Sequence, residues 1–265
     1  MSVATTTPNL GEEGSSLVRG AFPQALISRW RDTAYLHYAR IESLVQREGI
    51  EAVQRQLPPG QRYLPHVSSI SLEGVYGATE SQRIVECLAA TSLREKIEHE
   101  LGGAVLCDLD QAWVRRQYAI HRRPEGHVPH SWHQDGALLY PFDSTGAGAP
   151  AAGGLLRMVT CWVALTSCGQ QAPGLELVRQ RLDSLLPPAT LTEDRVRARF
   201  PAERFWSPVM EPGDALLFSG GTLHRTHVEP HMNADRTSIE LRFFRAEAIP
   251  ERLAGDRFAR FPSST

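Results

Sequence analysis

From Ala25 to Arg47, the residues Leu26, Ile27, Trp30, Ala34, Tyr35, Tyr38, Ile41 and Val45 recur at close to helical spacing, which predicts one long helix or two consecutive ones. Pro23 suits the first turn of such a helix. A second helical stretch runs from Glu80 to Leu101, with Ile84, Val85, Leu88, Leu93 and Ile97 on its apolar side and Gly102-Gly103 to end it. Past Gly103 the period shortens, and short β-rich runs alternate with turn residues. The candidate strands are Ala112–His121, Ser131–Asp135, Leu155–Leu165, Leu175–Val178, Ala215–Phe218, Thr222–Val228 and Ser238–Phe244. This order predicts a helical part over about 23–103 and a barrel or jelly-roll core over about 104–246, in one domain spanning 19–250. Residues 1–18 hold few large apolar side chains and are expected to be a loose tail, as are 251–265 at the other end. Two interruptions stand out. Asp143–Gly154 is a Gly/Ala-rich loop that suits either a lid or a connector. Residues 183–204 form a polar insertion with a short helix around Glu193–Ala198, in which no chemistry stands out.

Charge narrows the function classes. The chain has 265 residues, with 28 basic and 30 acidic side chains and a net charge of -2, so no nucleic-acid footprint is visible. No apolar run is long enough to span a membrane, and the polar start lacks the pattern of a secretory signal, so the expected location is cytoplasmic. The four cysteines, Cys87, Cys107, Cys161 and Cys168, form no C-x-x-C pair and are expected to be buried thiols. Lys96 is the only lysine and lies in an ordinary helical segment, which argues against Schiff-base and P-loop chemistry. An internal carboxylate would have to be met by arginine, whose planar fork suits bidentate recognition.

The candidate chemistry centres on Trp132-His133-Gln134-Asp135-Gly136. In an extended strand residues i and i+2 share a face, so His133 and Asp135 can reach one point. A third donor lies downstream of Glu211-Pro212-Gly213-Asp214, after the buried strand and the Ser219-Gly220-Gly221 turn. His224 follows that turn directly; His227 has the opposite strand parity and His231 sits in a Pro/Asn loop, so His224 is preferred. Two histidines and one carboxylate form the facial triad of non-haem iron(II) oxygenases, which leaves positions open for cosubstrate and dioxygen. The next strand carries Arg236, Ser238, Glu240 and Arg242 on one face. Either arginine can bind a dicarboxylate beside the metal; Arg236, nearer His224 in sequence, is preferred and Arg242 is its rival.

Taken together, these segments resemble the phytanoyl-CoA dioxygenase-like iron(II)/2-oxoglutarate oxygenases over about residues 110–245. The resemblance rests on Trp132 to Gly136, Pro212 to Phe218, Leu223 to Val228 and Asp235 to Phe243, with Gln117 to Ile120 and Cys161 to Leu165 in support. It implies a mainly β fold with α: a double-stranded β-helix, cupin-like, with N-terminal helices packed outside. It also implies iron(II) held by His133, Asp135 and His224. Arg236 would bind the distal carboxylate of 2-oxoglutarate, helped by the Thr226 hydroxyl, with Gln117 and Trp162 lining the cosubstrate pocket. The chain departs from relatives at Ser167 to Gln171, at Leu175-Glu176 and at His121, all on the family's substrate side.

The activity so implied consumes 2-oxoglutarate and dioxygen, releases succinate and carbon dioxide, and oxidises, most simply hydroxylates, an unactivated C–H bond of a small metabolite. Ascorbate serves as reductant in vitro. Asp135 argues against a halogenase, because halide needs the coordination position that a carboxylate fills. Two other readings fit part of the pattern: a cupin-like metal enzyme or binding protein, and a nucleic-acid demethylase. The near-neutral charge counts against the second. A pure binding module has no need of a buried arginine opposite the metal, so Arg236 discriminates. Arg122, Arg123 and Arg157 are expected to be solvated rather than to meet a substrate anion.

Overall fold

The computed structural model describes residues 10–57, 61–142 and 154–262; the Asp143–Gly154 loop, apart from Gly154, lies outside them. In chain order the regular elements are α1 (Leu10–Glu13), β1 (Ser15–Val18), α2 (Gln24–Glu48), α3 (Ile50–Gln56), β2 (Tyr63–Leu64), β3 (Ser69–Ser71), α4 (Leu72–Ala89) and α5 (Leu93–Leu101). Then follow β4 (Val105–Gln117), β5 (His133–Gln134), β6 (Met158–Ala164), β7 (Gly174–Val178), α6 (Glu193–Arg199), β8 (Phe205–Trp206), β9 (Ala215–Ser219), β10 (Leu223–His227), β11 (Arg236–Arg245) and β12 (Phe258–Arg260). The strands form two antiparallel sheets. The larger has the order β1-β9-β6-β11-β4-β3-β2, with β12 also on β4; the smaller has the order β5-β10-β7-β8.

Strand alternation divides the larger sheet into two faces. Val159, Cys161 and Val163 of β6 and Ile239, Leu241 and Phe243 of β11 pack with the helices in the main apolar core. That core takes Ile27, Trp30, Ala34, Tyr38 and Ile41 from α2, at spacings of three and four residues that place them on one helix face. Tyr38 also donates its hydroxyl to the Ser68 and Val114 carbonyls, tying α2 to the sheet. The intervening residues Thr160, Trp162, Arg236, Glu240 and Arg242 point to the opposite face, and all are buried. That inward polar face builds the site.

Several expectations need correction. The helix expected from Glu80 to Leu101 is preceded by a short helical piece from Leu72 that is broken at Gly77 (φ 76°), and it breaks again at Ala90–Ser92, where the Thr91 side chain accepts from the Leu93 backbone N–H. Residues 10–18 are not a loose tail: β1 pairs with β9, Ser15 opposite Phe218 and Val18 opposite Ala215, through backbone bonds that need no apolar side chains. The C-terminal segment is also part of the fold. β12 pairs with β4, and Leu253, Ala259 and Phe261 are buried. The strand expected over Ser131–Asp135 is regular only at His133–Gln134, and Asp135 opens a 3-10 turn, Asp135–Ala137. No helix among the described residues is long and apolar enough to cross a membrane.

Candidate metal centre

β5 and β10 pair in the register that sets His133 directly opposite His224, and the two rings lie 4.2 Å apart between centroids. The turn at Asp135 brings its carboxylate back beneath them. Asp135 Oδ1 lies 3.7 Å from His133 Nε2 and 3.8 Å from His224 Nε2. Each residue offers one ligand atom, and the three lie within 4.8 Å of one another. The turn depends on a close approach: a Cβ on Gly136 would meet the Gly220 carbonyl oxygen at 2.8 Å.

Hydrogen bonds on the far side of each ring fix the tautomers. His133 Nδ1 donates to the Ser131 carbonyl at 2.7 Å, and His224 Nδ1 donates to the Thr222 carbonyl at 3.0 Å. Both Nε2 lone pairs are therefore turned toward Asp135, the arrangement in which imidazoles bind a metal. Burial, and then the neighbouring His224, push the His133 imidazole down to about 3, so it is neutral and ligand-competent at ordinary pH. Burial alone would raise the Asp135 carboxyl. Arg242, then the two imidazoles and the Thr160 hydroxyl outweigh that and hold it well below the usual carboxylate range. Thr160 Oγ1 donates to Asp135 Oδ2 at 2.6 Å, and Arg242 lies 3.3 Å from the same oxygen.

The two candidate arginines have different surroundings. Arg242 is engaged: besides Asp135 it donates to the Gln111 carbonyl at 2.7 Å. Arg236 has no exposed surface, and none of its three guanidinium nitrogens finds an acceptor among the described residues. Its guanidinium carbon lies 4.9 Å from the Trp162 ring centroid. Burial pushes its pKa down from 12.5 to about 10. A buried, unpartnered cation is costly, and its presence here points to an anion as its partner.

Arg236, Trp162 and Thr226 line the same cavity as His133, Asp135 and His224. Thr226 shares the inward face of β10 with His224, two residues away. Gln117 is opposite Arg236 in the sheet and buried, yet it is not on the cavity wall; its side-chain amide donates to the Tyr118 carbonyl at 3.3 Å. His227 and His231 do not join the centre: the first lies 3.8 Å from Glu229 and the second bonds the Gln170 carbonyl. Arg122 is half exposed and 3.3 Å from Asp235.

Sequence reasoning missed three wall residues. His130 lies against His133, at 5.3 Å between ring centroids. Arg115 and Glu240 form a two-pronged ion pair, at 2.7 and 2.8 Å. The inward parity of Glu240 was readable in the sequence; its pairing with Arg115 depends on the sheet order. The Thr160 bond to Asp135 had no signal beyond its parity with Trp162.

Comparison with known proteins gives the following. The chain is similar to the non-heme alpha-ketoglutarate-dependent epimerase SnoN from nogalamycin biosynthesis, at 16% identity and TM-score 0.56, over 97% of this chain and 84% of that one. It is similar to AviO1 from Streptomyces viridochromogenes Tue57, at 16% identity and TM-score 0.58, over 91% and 94% of the two chains. It is also similar to EctD from S. alaskensis, solved with 2-oxoglutarate and 5-hydroxyectoine, at 14% identity and TM-score 0.60, over 90% and 74%. At these identities the likeness is one of fold. No curated protein sequence matches the chain. The family model described as phytanoyl-CoA dioxygenase matches residues 11–229. That match takes in most of the chain, including β5 and β10 with their facing histidines, and the protein belongs to the phytanoyl-CoA dioxygenase family.

Proposed function

We propose that the protein is an iron(II)- and 2-oxoglutarate-dependent oxygenase that oxidises a C–H bond of a small metabolite, with hydroxylation as the simplest outcome. The observation that carries this reading is the fully buried, unpartnered Arg236 guanidinium on the wall of the cavity that holds the His133–Asp135–His224 cluster. A metal cluster alone suits several divalent ions and several chemistries. A metal cluster facing an isolated internal cation suits a ligand that chelates metal at one end and carries a carboxylate at the other. The two facing sheets, with the inward polar surface between them, are read as the double-stranded β-helix of such enzymes.

In this reading His133, Asp135 and His224 hold the iron. Fixed tautomers present both Nε2 atoms without reorganisation, and Thr160 and Arg242 keep Asp135 anionic and oriented. Arg236 takes the distal carboxylate of 2-oxoglutarate, with the Thr226 hydroxyl beside it and the Trp162 ring beneath it. Iron(II) and 2-oxoglutarate, when bound, supply the oxidative chemistry: one oxygen atom of dioxygen goes to succinate as carbon dioxide leaves, and the other goes to the product. The chain's part is to hold, orient and exclude water, for which Phe218 and Leu175 give the cavity apolar walls. A separate apolar groove of about 230 Å3, with Trp132, Phe142, Leu186 and Leu191 on its walls, lies on the other side of β5.

The fold neighbours include an epimerase and a carbocyclase as well as a protein solved with a hydroxylated ligand. Hydroxylation is therefore proposed for this chain on chemical simplicity. The test is succinate formation from 2-oxoglutarate in the presence of iron(II), ascorbate and air. Turnover is expected from the native protein and none from His133→Ala. Undiminished turnover in that variant would remove the metal assignment.

A further inference from the structure

The polar insertion between β7 and β9 reaches the back of the metal centre. Residues 132 and 225 flank the facing histidines and, by strand alternation, point away from the cavity. On that outer face one carboxylate meets both. Glu193 Oε2 accepts from Trp132 Nε1 at 2.7 Å and from Arg225 NH1 at 2.7 Å. Glu193 opens α6, and Arg197 one turn later donates to the other Glu193 oxygen at 2.8 Å. Arg197 also reaches Glu176 on β7 at 2.7 Å, and Arg225 donates to the same Glu176 oxygen at 2.7 Å. Arg225 and Glu176 are partners in the β10–β7 register. The Trp132 ring lies 5.0 Å from the Arg225 guanidinium carbon and 5.6 Å from that of Arg197.

We propose that this Glu193–Arg197–Arg225–Glu176 network, closed on the Trp132 indole, is a clasp that fixes the separation of the two histidine ligands from outside the site. β5 is only two residues long; its pairing with β10 is extended by Thr226 N–H to the His130 carbonyl, and the Gln134 side chain bonds Gly221, Ser184 and Leu186. His133 is also the more exposed of the two imidazoles, with 34% of its side chain open against 5% for His224. The clasp adds a second side-chain tie, on the outer face, between the residue before His133 and the residue after His224. Glu193 touches neither metal nor substrate and is a positioning residue. Glu193 itself is exposed and its ion pairs contribute little to stability, while the buried Trp132 indole loses its acceptor with it, so folding is measured beside ligand geometry.

The inference rests on the proposed metal site, and the experiment separates the two. Cobalt(II), which gives a visible ligand-field spectrum, is titrated into metal-free native protein and into Glu193→Gln, Glu193→Ala, His133→Ala and Glu80→Gln. The last breaks the Arg29–Glu80 pair between α2 and α4, outside the cavity lining, and serves as a matched ion-pair loss. The expected result is cobalt(II) affinity about tenfold weaker in Glu193→Ala, with an altered ligand-field spectrum, on the scale by which outer-shell losses weaken metal sites. Glu193→Gln, which keeps an oxygen for the indole, should fall between, and Glu80→Gln should match native protein. Melting of the metal-free forms shows whether each variant is folded; if Glu193→Ala is not, Glu193→Gln decides. Native affinity and spectrum in the folded Glu193 variant, with binding lost in His133→Ala, overturn the clasp alone. Native binding in His133→Ala overturns the metal site beneath it.

Discussion

Replacing Arg236 with methionine should move stability and ligand affinity in opposite directions. The guanidinium has no exposed surface and no hydrogen-bond acceptor among the described residues. Its pKa falls from 12.5 in the unfolded reference to about 10 in the fold, chiefly through burial. A basic group with a depressed folded pKa binds its proton less tightly in the native state, so the charge costs stability at every pH below about 10. At 1.36 kcal/mol per unit that cost is roughly 3 kcal/mol. Methionine removes the charge and keeps most of the length, while the loss of the contact with the Trp162 ring gives back on the order of 1 kcal/mol. The metal-free variant should therefore melt several degrees higher than the native protein, at roughly 2–4 °C per kcal/mol for a chain of this size. Binding of 2-oxoglutarate should collapse. Losing one partner of a desolvated charge pair costs about 2–5 kcal/mol, or roughly 30-fold to several thousand-fold in Kd. Calorimetric titration of 2-oxoglutarate into the manganese(II)-loaded protein measures the second effect, and melting of the metal-free protein measures the first. A Kd within threefold of native would refute the anchor. A sharp drop in melting temperature would show that the guanidinium has a structural partner in the fold.

Three further outcomes follow from the geometry. Thr160→Val removes the 2.6 Å hydrogen bond to Asp135 at nearly constant volume; metal affinity should weaken roughly 10- to 100-fold, read by metal titration, with the fold retained by circular dichroism. Gly136→Ala places a methyl group 2.8 Å from the Gly220 carbonyl oxygen, so it should cost about 1–3 kcal/mol in chemical denaturation and weaken metal binding through the displaced Asp135 turn. Asp108 is fully buried, and burial first and Asp256 second push its carboxyl up to about 7. A raised carboxyl favours the protonated native state, so stability should fall as pH rises from about 4 through about 7. Asp108→Asn keeps an oxygen for the Asp110 and Gln111 backbone N–H groups and should flatten that slope in melts across the same range. An unchanged slope would contradict the assignment.

What the sequence disclosed and what it withheld divide along physical lines. The helical period of α2 was legible because one face carries its burial. His133, Asp135 and His224 could be singled out as candidates because each lies beside a turn in a short local pattern. Their facing register was not legible, since it depends on β5 and β10 meeting across 90 residues of chain. The different surroundings of Arg236 and Arg242 were not legible: the partners of Arg242, Gln111 and Asp135, come from elsewhere in the chain, and no local pattern names them. Both termini were misread for one reason. Ser15–Val18 and Phe258–Arg260 join the sheet by backbone pairing, which leaves little trace in side-chain hydrophobicity. The insertion helix looked polar and idle because Glu193 and Arg197 find their partners on other strands.

The central claim is that His133, Asp135 and His224 converge on a single ferrous ion that binds 2-oxoglutarate. Anaerobic titration of iron(II) and 2-oxoglutarate, followed by the visible charge-transfer absorption of their chelate, tests it most directly. The account predicts a band that saturates at one iron per chain in native protein and fails to form in His224→Ala and Asp135→Ala. The same band, at the same stoichiometry, in either variant would contradict it.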